Sequence, residues 1–268
     1  MKYFTDYKFR CSDLGKIMVG TARQGLTEKQ KQTLEELKRK EKLTDKQKEY
    51  LLELENKANA EPEISKTALY FLKELALEIV TGRRKEIETY PMIKGTEEEQ
   101  ESINLLNSFL KSNYQKNQKR LENEYIVGTP DIIDEKNKMV RDIKTSKDIF
   151  TFPYFEKELQ NSDYYWQVIG YMWLTGYKEA YIDYVLINTP EWQIQRMLKN
   201  KYYEFIDRGF TDEELHFKEN EYELTIRFNL TYDDLEIEQR IRTFKVEFSE
   251  DAIQKLINQI NLIKMLDL

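Results

Sequence analysis

A small set of side chains in the middle of the chain could do chemistry together. Pro130-Asp131 is followed, after Ile132-Ile133 and a polar turn, by Asp142-Ile143-Lys144. Farther on, Gln167 stands in an otherwise apolar and aromatic run, Tyr164 to Leu174. Side chains alternate faces along a strand, so Asp142 and Lys144 point one way and Ile143 the other. Two or three carboxylates supply enough oxygen ligands for a hard divalent cation such as Mg2+, which keeps several of its waters. A lysine beside them can orient a water, help to deprotonate it and stabilise developing negative charge. A buried amide without partners costs about 1–3 kcal/mol. Gln167 is therefore expected to hold a partner, and Lys144 or the backbone of the site is the natural one.

These residues need elements to position them. Residues 128–144 read as a hairpin, with Asp131 on one arm and Asp142 and Lys144 on the other. Residues 161–175 read as an apolar helix ended by Gly176, followed by a strand from Ala180 to Ile187. Before the hairpin, residues 96–112 read as a helix capped by Thr96, with Ile103, Leu106, Phe109 and Leu110 as its buried stripe. Glu97, Glu98, Glu99 and Glu101 crowd its first turn. Interaction with the helix dipole explains acids there as a class and selects none of them.

The flanks are more ordinary. Residues 64–82 form a strong helix stopped by Gly82, with Arg83, Arg84 and Lys85 after it. Leu26-Thr27-Glu28-Lys29-Gln30-Lys31 recurs as Leu43-Thr44-Asp45-Lys46-Gln47-Lys48, each copy opening with a capping box. Residues 26–58 are thus expected as an inserted helical hairpin. Near the start, Arg10 and Ser12 precede a short helix that Ser12 can cap. The same two residues would also suit a phosphate, because an arginine and a helix N-terminus both attract anions. The last part reads as a helix from Glu191 to Arg208, strands at Tyr222–Phe228 and Arg242–Phe248, and a capped helix from Ser249 to Met265.

Composition narrows the class. The 268 residues suffice for one large domain, and 34% charged against 40% hydrophobic residues describes a soluble globular chain. No apolar run approaches the roughly 20 residues of a membrane span, and no secretory leader pattern opens the chain. Cys11 is the single cysteine, which excludes an internal disulfide framework and a four-cysteine metal site and fits a reducing cytoplasm. His216 is the single histidine, which argues against machinery built on several. The net charge of −7 argues against coating nucleic acid by bulk charge, but local basic surface is all that phosphate contact requires.

The order helix, strand, strand, strand, helix, strand over residues 96–187, carrying these side chains, resembles the PD-(D/E)XK nuclease superfamily. Within it the chain looks similar to the phage-type exonucleases of the lambda exonuclease and YqaJ family. The carriers are Pro130-Asp131, Asp142-Ile143-Lys144, Gln167-Val168 with Met172-Trp173-Leu174-Thr175, and Gly95 with Glu99 four positions on. The resemblance implies an α/β, restriction-endonuclease-like αβββαβ core: a mixed central sheet flanked by helices, with residues 96–190 as the catalytic part of a single nuclease domain. It picks Glu99 from the acidic cluster. It implies Mg2+, with Mn2+ as a substitute, held by Asp131, Asp142, Glu99 and the Ile143 carbonyl. Lys144 would act on water, Gln167 would support it, and Tyr171 would lie on the same helix face. Thr129 matches the place where the family lines a 5′-phosphate pocket, with Arg10 and Ser12 near where other members of that pocket arise. The implied reaction is phosphodiester hydrolysis of DNA from duplex ends, leaving 5′-phosphates, in phage or prophage recombination. The implied partners are DNA, a single-strand annealing protein and, by analogy, two further copies in a trimer. An endonuclease on the same core, or a relative that binds DNA or serves as a scaffold without catalysis, are the alternatives. A helical interaction protein working through the repeat would leave Asp131, Asp142, Lys144 and Gln167 unexplained.

Overall fold

The computed structural model describes residues 1–21, 26, 28–40, 42–59, 63–85 and 98–268. Its helices are α1 (Leu14–Met18), α2 (Glu28–Arg39), α3 (Asp45–Asn59), α4 (Lys66–Thr81), α5 (Glu99–Leu110), α6 (Ser162–Thr175), α7 (Glu191–Asp207), α8 (Asp212–Leu230) and α9 (Glu250–Met265). Its strands are β1 (Phe9–Arg10), β2 (Leu121–Glu122), β3 (Ile126–Gly128), β4 (Ile132–Asp134), β5 (Met139–Thr145), β6 (Glu179–Val185) and β7 (Ile241–Glu247). Contacts divide the chain into two compact units. One gathers Met1–Lys85, Glu122–Val127 and Ser249–Leu268; the other gathers Glu86–Leu121 and Gly128–Phe248.

In the first unit β1 pairs in parallel with β3, Phe9 opposite Ile126 and Arg10 opposite Val127. The repeat forms the α2–α3 hairpin, and its equivalent leucines, Leu37 and Leu54, are both buried. Thr44 and Gln47 close the second capping box. Thr27, the cap of the first copy, lies outside the described residues. Ser65 caps α4, and Gly82 ends it in the left-handed region at φ 65°. One local expectation fails here. The residue at the start of α1 is Asp13, which makes no side-chain cap bond, so Ser12 does not cap that helix. The chain enters α1 directly from the 3-10 turn Cys11–Asp13, one residue later than the sequence pattern suggests. Ser249 caps α9, whose Gln259 donates to the Ile17 carbonyl at 2.9 Å.

The second unit carries a four-stranded sheet in the order β4-β5-β6-β7. β5 and β6 run parallel, while β4 and β7 are antiparallel to their neighbours. This is the mixed α/β arrangement, flanked by helices, that a restriction-endonuclease-like core requires. Ile103 and Leu106 of α5 pack on Ile132, Ile143, Val185 and Ile241 on one face. Alternation sends Asp142 and Lys144 to the other face, toward α6. The helix with the acidic first turn starts at Glu99, with Glu98 at its cap position; Thr96 lies outside the described residues.

The strand expected at Tyr222–Phe228 is instead part of α8. Thr211 and Glu214 form a full capping box, and the helix runs on from there. The period-two pattern is two helical pairs interleaved. Tyr222 and Ile226, four apart, pack toward Ile194 and Leu198 of α7. Leu224 and Phe228, also four apart, are 73% and 76% exposed. A strand reading assumes that all four share one buried face.

A buried ion pair braces the α5 face of the sheet. Arg141 Nη1 donates to both Asp183 oxygens, at 2.8 and 2.7 Å, and the Thr243 hydroxyl donates to Asp183 at 2.6 Å. The side chains of Arg141 and Asp183 are 7% and 0% exposed. Arg141→Met should therefore cost about 3 kcal/mol in urea unfolding, the low end for an orphaned buried charge, because Thr243 stays bonded to Asp183. A loss under about 1 kcal/mol would show that the pair contributes little.

Candidate active site

The hairpin register sets the first two carboxylates side by side. Ile132 pairs with Arg141, so the preceding residue, Asp131, faces Asp142 across the strands. Asp131 Oδ2 accepts the Ile143 N–H at 2.6 Å. Asn117 holds the Pro130-Asp131 backbone: its N–H donates to the Asp131 carbonyl at 2.7 Å and its side-chain amide to the Pro130 carbonyl at 2.9 Å.

Gln167 ties the second carboxylate to the lysine. Its Oε1 accepts from Lys144 Nζ at 3.0 Å, and its Nε2 donates to Asp142 Oδ1 at 3.0 Å and to the Tyr171 hydroxyl at 2.9 Å. Lys144 Nζ lies 2.7 Å from Asp142 Oδ2 and 4.3 Å from the centre of the Tyr164 ring. Tyr164, Gln167 and Tyr171 recur at helical spacing on α6, which is why one helix face can supply all three. Asn161 caps that helix through the Asp163 and Tyr164 N–H groups, and Gly176 ends it at φ 74°.

Glu99 opens α5. One of its oxygens forms a 2.7 Å ion pair with Lys116, and the other, Oε1, is buried without a hydrogen-bond partner. A 2.8 Å hydroxyl–hydroxyl bond from Ser102 to Thr145 fastens the start of α5 to the end of β5.

The electrostatics of these groups are coupled. Burial pushes the Asp131 carboxyl well above the usual range, and the charges of Asp142 and Glu99 push it further, against the Ile143 N–H. Burial also raises Asp142, with the Lys144 ammonium opposing. For Lys144, burial acts to lower the pKa, but Asp142 and Asp131 outweigh it and the net shift is upward. The lysine stays charged because it neutralises two carboxylates that cannot share one dry site as anions.

A divalent cation fits this charge pattern. Among the described residues no three acidic, histidine or cysteine side chains form a ready-made metal cage. Mg2+ needs no such cage, since one or two carboxylates with water complete its shell. Asp131 and Asp142 offer that pair, and the free Oε1 of Glu99 is an uncompensated acceptor carried by a group whose charge reaches both.

The remaining expected residues lie apart in the chain. Thr129 is exposed, just before Pro130 in the second unit. Arg10 is half-buried at the end of β1, and Ser12 is exposed in the turn after it; both belong to the first unit. Sequence reasoning missed Lys116, Asn117 and Tyr164. Tyr164 is readable from its spacing to Gln167. Lys116 and Asn117 sit in a polar stretch whose pattern marks nothing.

No protein-family model matches the chain, and no curated protein matches it in sequence. Solved structures do share its fold. A phage related exonuclease from Haemophilus somnus 129PT superposes with a TM-score of 0.65 at 23% identity, over 97% of this chain and 92% of its own. An alkaline exonuclease from Laribacter hongkongensis superposes with a TM-score of 0.52 at 10% identity, over 97% of this chain and 89% of its own. At these identities the likeness is one of fold. Among the described residues no helix is long and apolar enough to cross a membrane.

Proposed function

We propose that this chain is a metal-dependent DNA nuclease, and that it digests from duplex ends as an exonuclease. The observation that carries the reading is the Lys144–Gln167–Asp142 network standing beside Asp131 on one face of the sheet. Nothing in packing requires a lysine, an amide and two acids there. A phosphodiester is shielded by its own anionic oxygens, so hydrolysis needs charge neutralised and hydroxide supplied; bound Mg2+ or Mn2+ provides both. Asp131 and Asp142 would hold the ion, with Glu99, directly or through water, and the Ile143 carbonyl completing its shell. Lys144 orients the attacking water and stabilises charge on the phosphate as it develops. Gln167 keeps Lys144 aimed, and Tyr171 keeps Gln167 aimed. Thr129, next to Pro130-Asp131 in the unit that carries the network, is assigned to the 5′-phosphate of the strand end.

End dependence draws on the two fold relatives, both described as exonucleases. The reading extends to a place in phage or prophage recombination beside a single-strand annealing protein. The test is digestion of linear duplex DNA and a closed circle with Mg2+ or Mn2+. The expected result is loss of the linear DNA alone, releasing products with 5′-phosphates. Cleavage of the circle would make the protein an endonuclease, and an intact linear substrate with both metals would remove the catalytic reading.

A further inference from the structure

The loop after the Lys144 strand, residues 146–161, holds apolar surface in water that the network above does not use. Phe150 is 86% and Phe155 87% exposed, while Phe152 between them is buried with Leu186 and Tyr232. The loop is pinned. The Asp148 N–H donates to Thr151 Oγ1 at 3.1 Å, and the Thr151 N–H donates to Asp148 Oδ1 at 2.9 Å. Arg242 donates to the Glu156 carbonyl through Nε, at 2.9 Å, and through Nη2. A loop tied at these points holds both phenyl rings out and forgoes the hydrophobic gain of burying them.

Phe150 is also a wall of a cavity of about 180 Å³, together with Phe152, Tyr184 and Phe244. An aromatic path joins it to the active-site face. The Tyr164 ring lies over Lys144 and packs at 6.0 Å, centre to centre, against Tyr184. Among the described residues that line the cavity none is a lysine or arginine, whereas Glu156 and Glu158 both line it. Arg242 adjoins two of the walls, bonding the Glu156 carbonyl and lying 5.9 Å from the centre of the Phe244 ring. A flat, uncharged π-face would stack on the rings, and its exocyclic amines would find the carboxylates and the Gln160 amide.

We propose that this cavity, with the exposed Phe150 and Phe155 of the same loop, binds an unstacked nucleobase of the substrate strand next to the bond being cut. The proposal rests on the nuclease reading and deepens it. Each stacked ring should contribute on the order of tenfold in affinity.

The test combines binding and turnover. Duplex DNA carrying 2-aminopurine at the terminal position of one strand or the other is mixed with protein in Ca2+, and hydrolysis is measured separately in Mg2+. The wild type should quench the terminal 2-aminopurine. Phe150→Ala and Phe155→Ala should weaken the quench and raise KM about tenfold, the loss falling on KM rather than kcat. Phe150→Trp should restore both readouts, which separates stacking from a folding defect. An active wild type whose KM and quench are unchanged by both alanine substitutions would overturn the base site alone. No hydrolysis by the wild type would overturn the nuclease reading, and this proposal with it.

Discussion

Lys144→Ala should lower DNA hydrolysis on the order of a thousandfold. The ammonium stands 2.7 Å from Asp142 and 3.0 Å from the Gln167 carbonyl, with a ring 4.3 Å away. Its position is set on three sides, so no other cation of the described site can take it over without rebuilding the network. Lys116, the nearest alternative in the chemistry, is engaged by Glu99 at 2.7 Å. The same substitution has a second, structural readout. Asp142 is 1% exposed, and without Lys144 its charge is left with one neutral amide. Breaking a buried pair by removing one partner typically costs about 3–5 kcal/mol, less where the orphan can take up a proton. The metal-free variant should therefore melt below the wild type, and added Mg2+ should recover more of the variant's loss than it adds to the wild type. A kcat within tenfold of wild type would remove Lys144 from the chemistry, whatever the melting curves show.

Strand and helix arithmetic makes much of this site legible in the amino-acid sequence. Period two puts Asp142 and Lys144 on one face, and the helical period puts Gln167 and Tyr171 on another, so their meeting needs only the fold order. The sheet and α6 follow from the same periodicities, with Gly176 marking the helix end. The failures have equally local causes. At Tyr222–Phe228 two helical pairs imitate strand alternation, and half of that apolar surface faces water. Lys116 lies 17 residues from Glu99, in a polar segment without periodicity, so nothing local pairs the two. Period two sets Arg141 on the face of Ile143, but its partner there, Asp183, lies 42 residues on. Long-range ion pairs of this kind depend on strand order, which patterns within a segment do not carry.

Asp131→Asn should abolish hydrolysis and yet stabilise the metal-free protein at neutral pH. The folded-state pKa of Asp131 is raised, by burial first and then by the charge of Asp142. A raised carboxylate contributes stability that is fully present below the unfolded value near 3.8 and is lost as pH climbs through the folded value. At neutral pH the metal-free wild type therefore carries a penalty that an uncharged asparagine does not. The asparagine keeps the acceptor for the Ile143 N–H, so the hairpin contact at 2.6 Å survives. Without Mg2+ the variant should melt a few degrees higher than the wild type at pH 7–8. The gap should close as pH falls toward 4, where the wild-type carboxyl holds its proton. Saturating Mg2+ should raise the wild type and leave the variant nearly unmoved, because the repulsion that penalises the empty pair is what attracts the cation. Activity should fall at least about a thousandfold, consistent with losing an anchor for transition-state charge. A variant that melts below the wild type at pH 8 without metal would mean that Asp131 is held by its hydrogen bond rather than strained by its charge. Binding would then have to be explained without the electrostatic tension between the two aspartates.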